Sequence, residues 1–147
     1  MPSPNTTASI YFSFPADISL RERTRLKTFL TALFRREKTS LAELQYVFCS
    51  DAYLLDINRQ YLKHDYYTDI ITFDLSDPGL PINGEIYISV DRVRENAREF
   101  NSSVEKELHR VIFHGALHLC GYTDKGEQAE KMMRKMEDKY LSLYFKR

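Results

Sequence analysis

The stretch that decides the fold reads His114-Gly115-Ala116-Leu117-His118-Leu119-Cys120-Gly121-Tyr122-Thr123-Asp124. Residues four positions apart lie on one face of a helix, so His114 and His118 would present their imidazoles one turn apart. Gly121 would end this helix, because glycine readily adopts the left-handed conformation found after many helix C-termini. The chain can then turn back and bring Asp124 toward the imidazoles. Two nitrogens, one oxygen and an open position are typical of a catalytic zinc site.

Asp124 also has a purely structural interpretation. The run Asp124-Lys125-Gly126-Glu127 has the pattern of a helix capping box. In such a box the aspartate side chain accepts a hydrogen bond from a backbone N–H of the following helix. The sequence alone is compatible with both roles, a metal ligand and a helix cap.

Composition indicates a globular protein with balanced charge. The 147 residues include 21 Lys and Arg and 21 Asp and Glu, and 43% of the chain is hydrophobic. We expect residues 1–147 to form one domain that buries roughly two-thirds of its unfolded surface. With zero net charge, a nucleic-acid partner would require a local basic patch.

Localisation follows from what the sequence lacks. The two cysteines, Cys49 and Cys120, are far apart and do not form a disulfide framework. The N-terminal residues have no signal-peptide pattern, and no apolar run approaches the roughly 20 residues of a membrane span. These features predict a cytoplasmic protein with no membrane partner.

Strands and helices alternate along the predicted chain. Strands are predicted at about 10–14, 44–49, 69–73 and 85–89, and helices at about 19–38, 52–61, 91–100, 104–119 and 125–143. Ser102 and Glu105 are expected to form a capping box for the histidine helix. The third and fourth strands are joined by a short loop without a helix, which favours an antiparallel pair. The pattern predicts an α+β fold, a mixed sheet of about four strands with one antiparallel pair, packed with about five helices.

The histidine stretch and four shorter blocks match a known pattern in order. The signature is His-Gly-x-Leu-His-Leu-x-Gly-Tyr, and the other blocks are Asn58-x2-Tyr61, Thr-Asp-Ile-Ile-Thr-Phe at 68–73, Gly-Glu-Ile-Tyr-Ile-Ser at 84–89 and Arg-Glu-Asn-Ala at 94–97. From about residue 45 to 140, the chain resembles the YbeY family of bacterial rRNA-maturation endoribonucleases. The resemblance implies a YbeY-like metallohydrolase, usually described with zinc, that cuts single-stranded RNA. It also implies roles in 16S rRNA 3′-end maturation and ribosome quality control.

The first departure from the family pattern concerns the third metal ligand. The family usually ends its motif with Gly-Tyr-Asp-His, whose last histidine binds the metal, and Asp124 occupies that position here. The resemblance therefore implies that His114, His118 and Asp124 bind one Zn²⁺ ion. A carboxylate is an accepted zinc ligand, and its negative charge would make the metal-bound water less acidic.

The second departure removes a cation. The family commonly has Tyr-Arg-Gly-Lys-Asp, but this chain has Leu62 in the arginine position. Arg59, Lys63 and His64 are the nearby candidates for a catalytic or phosphate-positioning role. Each of the three also has an ordinary interpretation as an exposed loop or helix charge.

The predicted chemistry is metal-assisted phosphodiester hydrolysis, in which the ion polarises a phosphoryl oxygen or activates water. The expected partners are single-stranded RNA, chiefly rRNA, and the small ribosomal subunit. One alternative is a zinc metallopeptidase, although its usual general-base glutamate is replaced here by Gly115. The others are a non-catalytic ribosome-assembly factor with a structural metal and a 2-His-1-carboxylate iron oxygenase.

Overall fold

The computed structural model describes residues 9–64 and 67–146, which form four strands and five helices. In chain order they are β1 (Ser9–Ser13), α1 (Arg23–Arg36), β2 (Leu41–Cys49), α2 (Asp51–Tyr61), β3 (Ile70–Asp74), β4 (Ile82–Ser89), α3 (Val90–Glu99), α4 (Val104–Leu119) and α5 (Glu127–Phe145). The predicted number and order of elements are confirmed. In these described ranges, no helix has the length and apolar character needed to cross a membrane.

The four strands form one mixed sheet in the order β1-β2-β4-β3. The β1–β2 and β2–β4 pairs are parallel, and each of these connections includes a helix. The β3–β4 pair is antiparallel, with Ile70 opposite Ile88 and Asp74 opposite Gly84. The predicted α+β fold with one antiparallel pair is therefore confirmed, and β3 is an edge strand.

The sheet separates two hydrophobic clusters. Successive residues of a strand point to opposite faces, so Ile70 packs against the larger cluster while Ile71 belongs to the smaller one. Helix α4 supplies much of the larger cluster, and α2 contributes Leu54 and Ile57 to the smaller one. The edge strand β3 therefore lies between the histidine helix and α2.

Gly115 allows the histidine helix to approach the sheet closely. A Cβ atom at this position would lie 2.8 Å from Ile86 Cδ1 and 3.1 Å from Ile70 Cδ1. Contacts below about 3 Å would force the neighbouring side chains or the helix to move. The glycine in the histidine motif therefore has a packing role, and it places His114 next to the edge of the sheet.

Two predicted helix starts are corrected. The N-cap of α4 is Ser103, whose hydroxyl accepts a hydrogen bond from the Lys106 backbone N–H at 3.0 Å, so the predicted Ser102–Glu105 capping box is wrong. Helix α5 has Gly126 as its N-cap and has no side-chain cap bond. Capping of this helix by Asp124 is therefore also wrong, because the helix begins at Glu127, one residue after that glycine.

Helix α1 begins later than its sequence pattern suggests. It starts at Arg23, although helical spacing predicted a start near residue 19. Ile18 and Leu20 precede the helix, and each is only 6% exposed. Both residues join the larger core cluster from a non-helical segment, and Leu20, which fits the helical spacing, extended the predicted helix back to residue 19.

His109, the third histidine near the motif, is a core residue. Its side chain is 2% exposed, and its ring centroid lies 5.0 Å from that of Tyr144. Its Nδ1 atom lies 2.7 Å from the Glu105 carbonyl oxygen, which can only accept, so Nδ1 carries the proton. Burial lowers the pKa of His109, and this outweighs the opposing effect of the Glu105 hydrogen bond.

Stability should therefore depend on His109 in mildly acidic solution. Below the ordinary histidine pKa of 6.5, His109 is protonated in the unfolded chain, whereas the buried ring in the folded protein stays neutral. The free energy of unfolding therefore decreases as the pH is lowered. Urea unfolding of metal-free wild type and His109→Phe from pH 7.5 to 5 should show a smaller loss in the variant. The other histidines are present in both proteins and cancel in the difference. Parallel pH profiles would contradict this assignment.

Candidate active site

A cleft of about 250 Å³ lies between the histidine helix, the end of α2 and the edge strand β3. The described residues lining it are Asn58, Leu62, His64, Thr68, Ile70, Ile71, Thr72, His114, His118, Asp124 and Lys125. All three predicted metal-binding residues therefore face one cleft. Gly121, with a φ of 106°, makes the turn that returns the chain from α4 to this cleft.

His114 and Asp124 are the most closely placed pair of predicted ligands. The Nε2 atom of His114 lies 3.4 Å from Oδ2 of Asp124. Two ligands that bind a tetrahedral zinc ion at 2.0–2.1 Å are separated by about 3.3–3.4 Å. The spacing and the donor types of this pair therefore fit one shared ion.

His118 lies in the same cleft but does not complete a compact triad. Its side chain is exposed, one helical turn beyond His114. Across residues 9–64 and 67–146, no three His, Cys, Asp or Glu side chains are grouped closely enough to hold a metal ion. The structure thus pairs two of the predicted ligands and places the third beside them.

Glu137 fixes the orientation of the His114 ring. Its Oε2 atom lies 2.7 Å from His114 Nδ1, and the glutamate is only 6% exposed. With Nδ1–H donating to this carboxylate, a neutral His114 directs the Nε2 lone pair toward Asp124. Glu137 was not predicted as a site residue. Its signal in the sequence is a charged residue on the same helix face as the core residues Met133 and Tyr140.

Arg110 partly compensates the charge of the buried glutamate. Its Nη1 atom lies 3.2 Å from Glu137 Oε1 and 2.9 Å from Asp138 Oδ1. A buried carboxylate without a partner would be costly, and the Arg110 guanidinium offsets part of the cost of burying Glu137 beneath His114. Arg110, Glu137 and His114 therefore form a continuous chain of contacts that joins α4 to α5.

The charges around His114 favour its protonated form when no cation is bound. Burial lowers the pKa of His114, but the hydrogen bond and charge of Glu137, with the charges of Asp69 and Asp124, raise it above its usual value overall. Burial also raises the pKa of Asp69, although the His114 charge opposes this effect. The negative potential that favours a proton at His114 would also favour a metal cation.

The three catalytic candidates have different positions. His64 lines the cleft, as does Leu62, which occupies the family's arginine position. Arg59 and Lys63 are exposed and are absent from the described lining. Lys125, which the sequence analysis did not identify, provides an ammonium group in the lining.

Glu37, at the end of α1, binds the turn that carries Asp124. The Tyr122 hydroxyl donates to Glu37 Oε1 at 2.8 Å, and the Tyr140 hydroxyl donates to the other oxygen of the same carboxylate. Burial and the Glu37 contact raise the pKa of Tyr122 to about 12, so this hydroxyl remains a donor at neutral pH. Glu37 thus connects the end of α1, the turn after α4 and helix α5.

Comparison with known proteins identifies the family. Residues 16–144 match the family model described as Endoribonuclease YbeY. The Endoribonuclease YbeY of Cytophaga hutchinsonii is 51% identical over 90% of this chain and 93% of its own length. That of Flavobacterium psychrophilum is 47% identical over 92% and 96%. The solution structure of TM1509 from Thermotoga maritima has a TM-score of 0.61 and 29% identity, covering 92% of this chain and 89% of its own. The chain therefore belongs to the YbeY endoribonuclease family.

Proposed function

We propose that this endoribonuclease is metal-dependent and cuts single-stranded RNA, and that it acts in 16S rRNA 3′-end maturation and ribosome quality control. The relatives named Endoribonuclease YbeY support an RNA-cleaving hydrolase. The observation that carries the metal-dependent part is the 3.4 Å separation between His114 Nε2 and Asp124 Oδ2 within the cleft. The proposed partners are single-stranded rRNA and the small ribosomal subunit, and the proposed compartment is the cytoplasm.

His114, His118 and Asp124 would hold one zinc ion. The first and last of these already have a spacing suited to a shared ion, and rotation of the exposed His118 side chain would supply the third ligand. When bound, zinc would polarise a phosphoryl oxygen or lower the pKa of a water molecule. The two nitrogens and one oxygen leave a fourth coordination position for that role.

The remaining lining residues would bind and orient the RNA. Lys125 and His64 line the cleft beside the proposed ligands, where their side chains would contact the substrate phosphate. Leu62 cannot supply the charge that an arginine would bring to this position, so phosphate recognition would depend more heavily on Lys125. Arg59 and Lys63, which are exposed, remain proposed contacts for phosphates farther along the strand.

The experiment compares metal-stripped protein with protein reloaded with zinc. We expect zinc to restore cleavage of a single-stranded oligoribonucleotide, while an RNA duplex of the same sequence and an unstructured peptide remain intact. Equal cleavage with and without metal would contradict metal dependence. Peptide cleavage would favour the metallopeptidase alternative, and tight zinc binding without RNA cleavage would favour an assembly factor with a structural metal. Elemental analysis of the purified protein separates zinc from iron.

A further inference from the structure

We propose that a second groove, adjacent to the active-site cleft, binds a nucleobase of the RNA substrate. This base groove has a volume of about 450 Å³, and its lining includes Tyr53, Asp56, Tyr61, Phe73, Glu85 and Tyr87. It lies on the face of the sheet covered by α2, beside the edge strand β3. The proposal rests on the RNA-cleaving function above and assigns a substrate subsite to it.

The groove presents exposed aromatic rings, one of which packs against a neighbouring ring. Tyr53 is 46% exposed and Tyr61 is 65% exposed. The ring of Tyr61 packs at a centroid distance of 6.2 Å and a near-perpendicular angle of 78° against Phe73. Phe73 in turn packs edge to face against Tyr87, with centroids 5.9 Å apart. A ring held in place by its neighbours but largely open to solvent is suited to stacking on a base.

The acidic side chains in the groove favour binding of a base and disfavour binding of a phosphate. Asp56 and Glu85 are the only charged residues among the described lining, so a phosphate group would be repelled. Glu85 Oε1 accepts a hydrogen bond from the Tyr87 hydroxyl at 2.9 Å, while its second oxygen has no donor among residues 9–64 and 67–146. Carboxylate oxygens accept hydrogen bonds from exocyclic amino groups, such as N4 of cytosine. A base that carries an amino group therefore matches the groove better than uracil does.

The groove and the cleft are lined by consecutive residues. Tyr61 lines the groove and Leu62 lines the cleft at the end of α2, while Phe73 lines the groove and Thr72 lines the cleft on β3. The groove and the cleft therefore meet at the end of α2 and across the edge strand, so an RNA strand with a phosphate beside Lys125 would extend a neighbouring base toward the ring of Tyr61. This continuity is the reason for assigning the groove to the substrate rather than to a separate partner.

The test uses oligoribonucleotides in which a single abasic residue replaces each position around the cleavage site in turn. For the wild type, kcat/KM should fall about tenfold at one position, because base–aromatic stacking contributes on that scale. The Tyr61→Ala variant should lose about tenfold on intact RNA and should show no further loss with the abasic residue at that position. Cytosine-to-uracil exchange there should lower wild-type activity, and Asp56→Asn together with Glu85→Gln should reduce this discrimination.

Tyr11→Ala is the matched control, because Tyr11 is a 47% exposed tyrosine on β1, at the opposite edge of the sheet. It should retain both the wild-type rate and the abasic penalty. The proposal would be overturned if Tyr61→Ala lowered kcat/KM by the same factor, relative to wild type, on intact RNA and on the abasic RNA. It would also be overturned if the kcat/KM of Tyr61→Ala equalled that of wild type. A lysine-rich peptide that binds the groove without displacing RNA would overturn it too. If wild type cleaves no RNA, the proposed function fails, and fluorescence anisotropy of the same oligonucleotides then decides on the groove by its dependence on the base and on Tyr61.

Discussion

Replacing His114 or His118 with alanine should abolish tight zinc binding and RNA cleavage together while leaving the fold largely intact. Each substitution removes one of three proposed ligands, so the loss of zinc affinity should exceed the roughly 10–100-fold typical of outer-shell changes. His114→Ala should also lower the thermal midpoint, because Glu137 would lose a buried partner 2.7 Å away. The exposed His118 should be removable without this cost. Zinc content, cleavage rate and thermal unfolding measure the three effects.

Asp124 provides the control within the same experiment. Because Gly126 caps α5, Asp124→Ser should leave the thermal midpoint nearly unchanged and still weaken zinc binding. Asp124→Asn should weaken it as well, because the amide keeps an oxygen but loses the charge. Asp124→His would create the three-histidine set usual in the family and should retain zinc. Stoichiometric zinc in His114→Ala, or full zinc and activity in Asp124→Ser, would contradict the proposed ligand set.

Glu137→Gln should reduce zinc affinity by about 10–100-fold, as expected for a carboxylate that orients a ligating histidine. The amide oxygen can still accept a hydrogen bond from His114 Nδ1–H, but the amide no longer brings a negative charge that makes the imidazole a better ligand. The reduction should be measured by competition with a chelator, which is independent of cleavage.

Asp138→Asn is the matched control for that substitution. Asp138 also binds Arg110, at 2.9 Å, but it lies on the exposed side of α5. Its neutralisation removes a contact of the same arginine without altering the His114 partner, so zinc affinity should remain unchanged. Similar losses of zinc affinity in the two variants would show that Glu137 acts only through its negative charge near the site and not by orienting His114.

Residue periodicity was sufficient to predict most of the fold. The strand–helix order and the antiparallel β3–β4 pair followed from alternation, helical spacing and the short loop between the strands. The errors arose where neighbouring residues have equal local propensity. Ser102 and Ser103 are both good caps, and α4 begins after the second, whose hydroxyl accepts from the Lys106 backbone N–H. Leu20 extended the predicted start of α1 because its apolar side chain is buried without being helical.

The site was predictable only where its residues are close in sequence. The histidine spacing and the glycine turn predicted from the sequence alone that His114, His118 and Asp124 lie near one another. Glu137 is 23 residues from His114, and its role depends on how α5 packs against α4. The phosphate contacts were predicted from their nearness to Leu62, which favoured Arg59, Lys63 and His64. Of these His64 lines the cleft, and so does Lys125, which follows Asp124 directly in the sequence.

The double contact of Glu37 has a consequence for how this protein tolerates change. One carboxylate accepts hydrogen bonds from two tyrosines, and it lies 85 residues from Tyr122 and 103 from Tyr140 along the chain. Loss of Glu37 would leave both hydroxyls without this acceptor, including that of the buried Tyr140, and an unpaired buried polar group costs more than replacing the interacting set by apolar groups. The three positions therefore form an epistatic unit, in which single substitutions are penalised and compensated triple substitutions are not. Redesign of the turn that carries Asp124 must begin by changing α1 and α5 together with it.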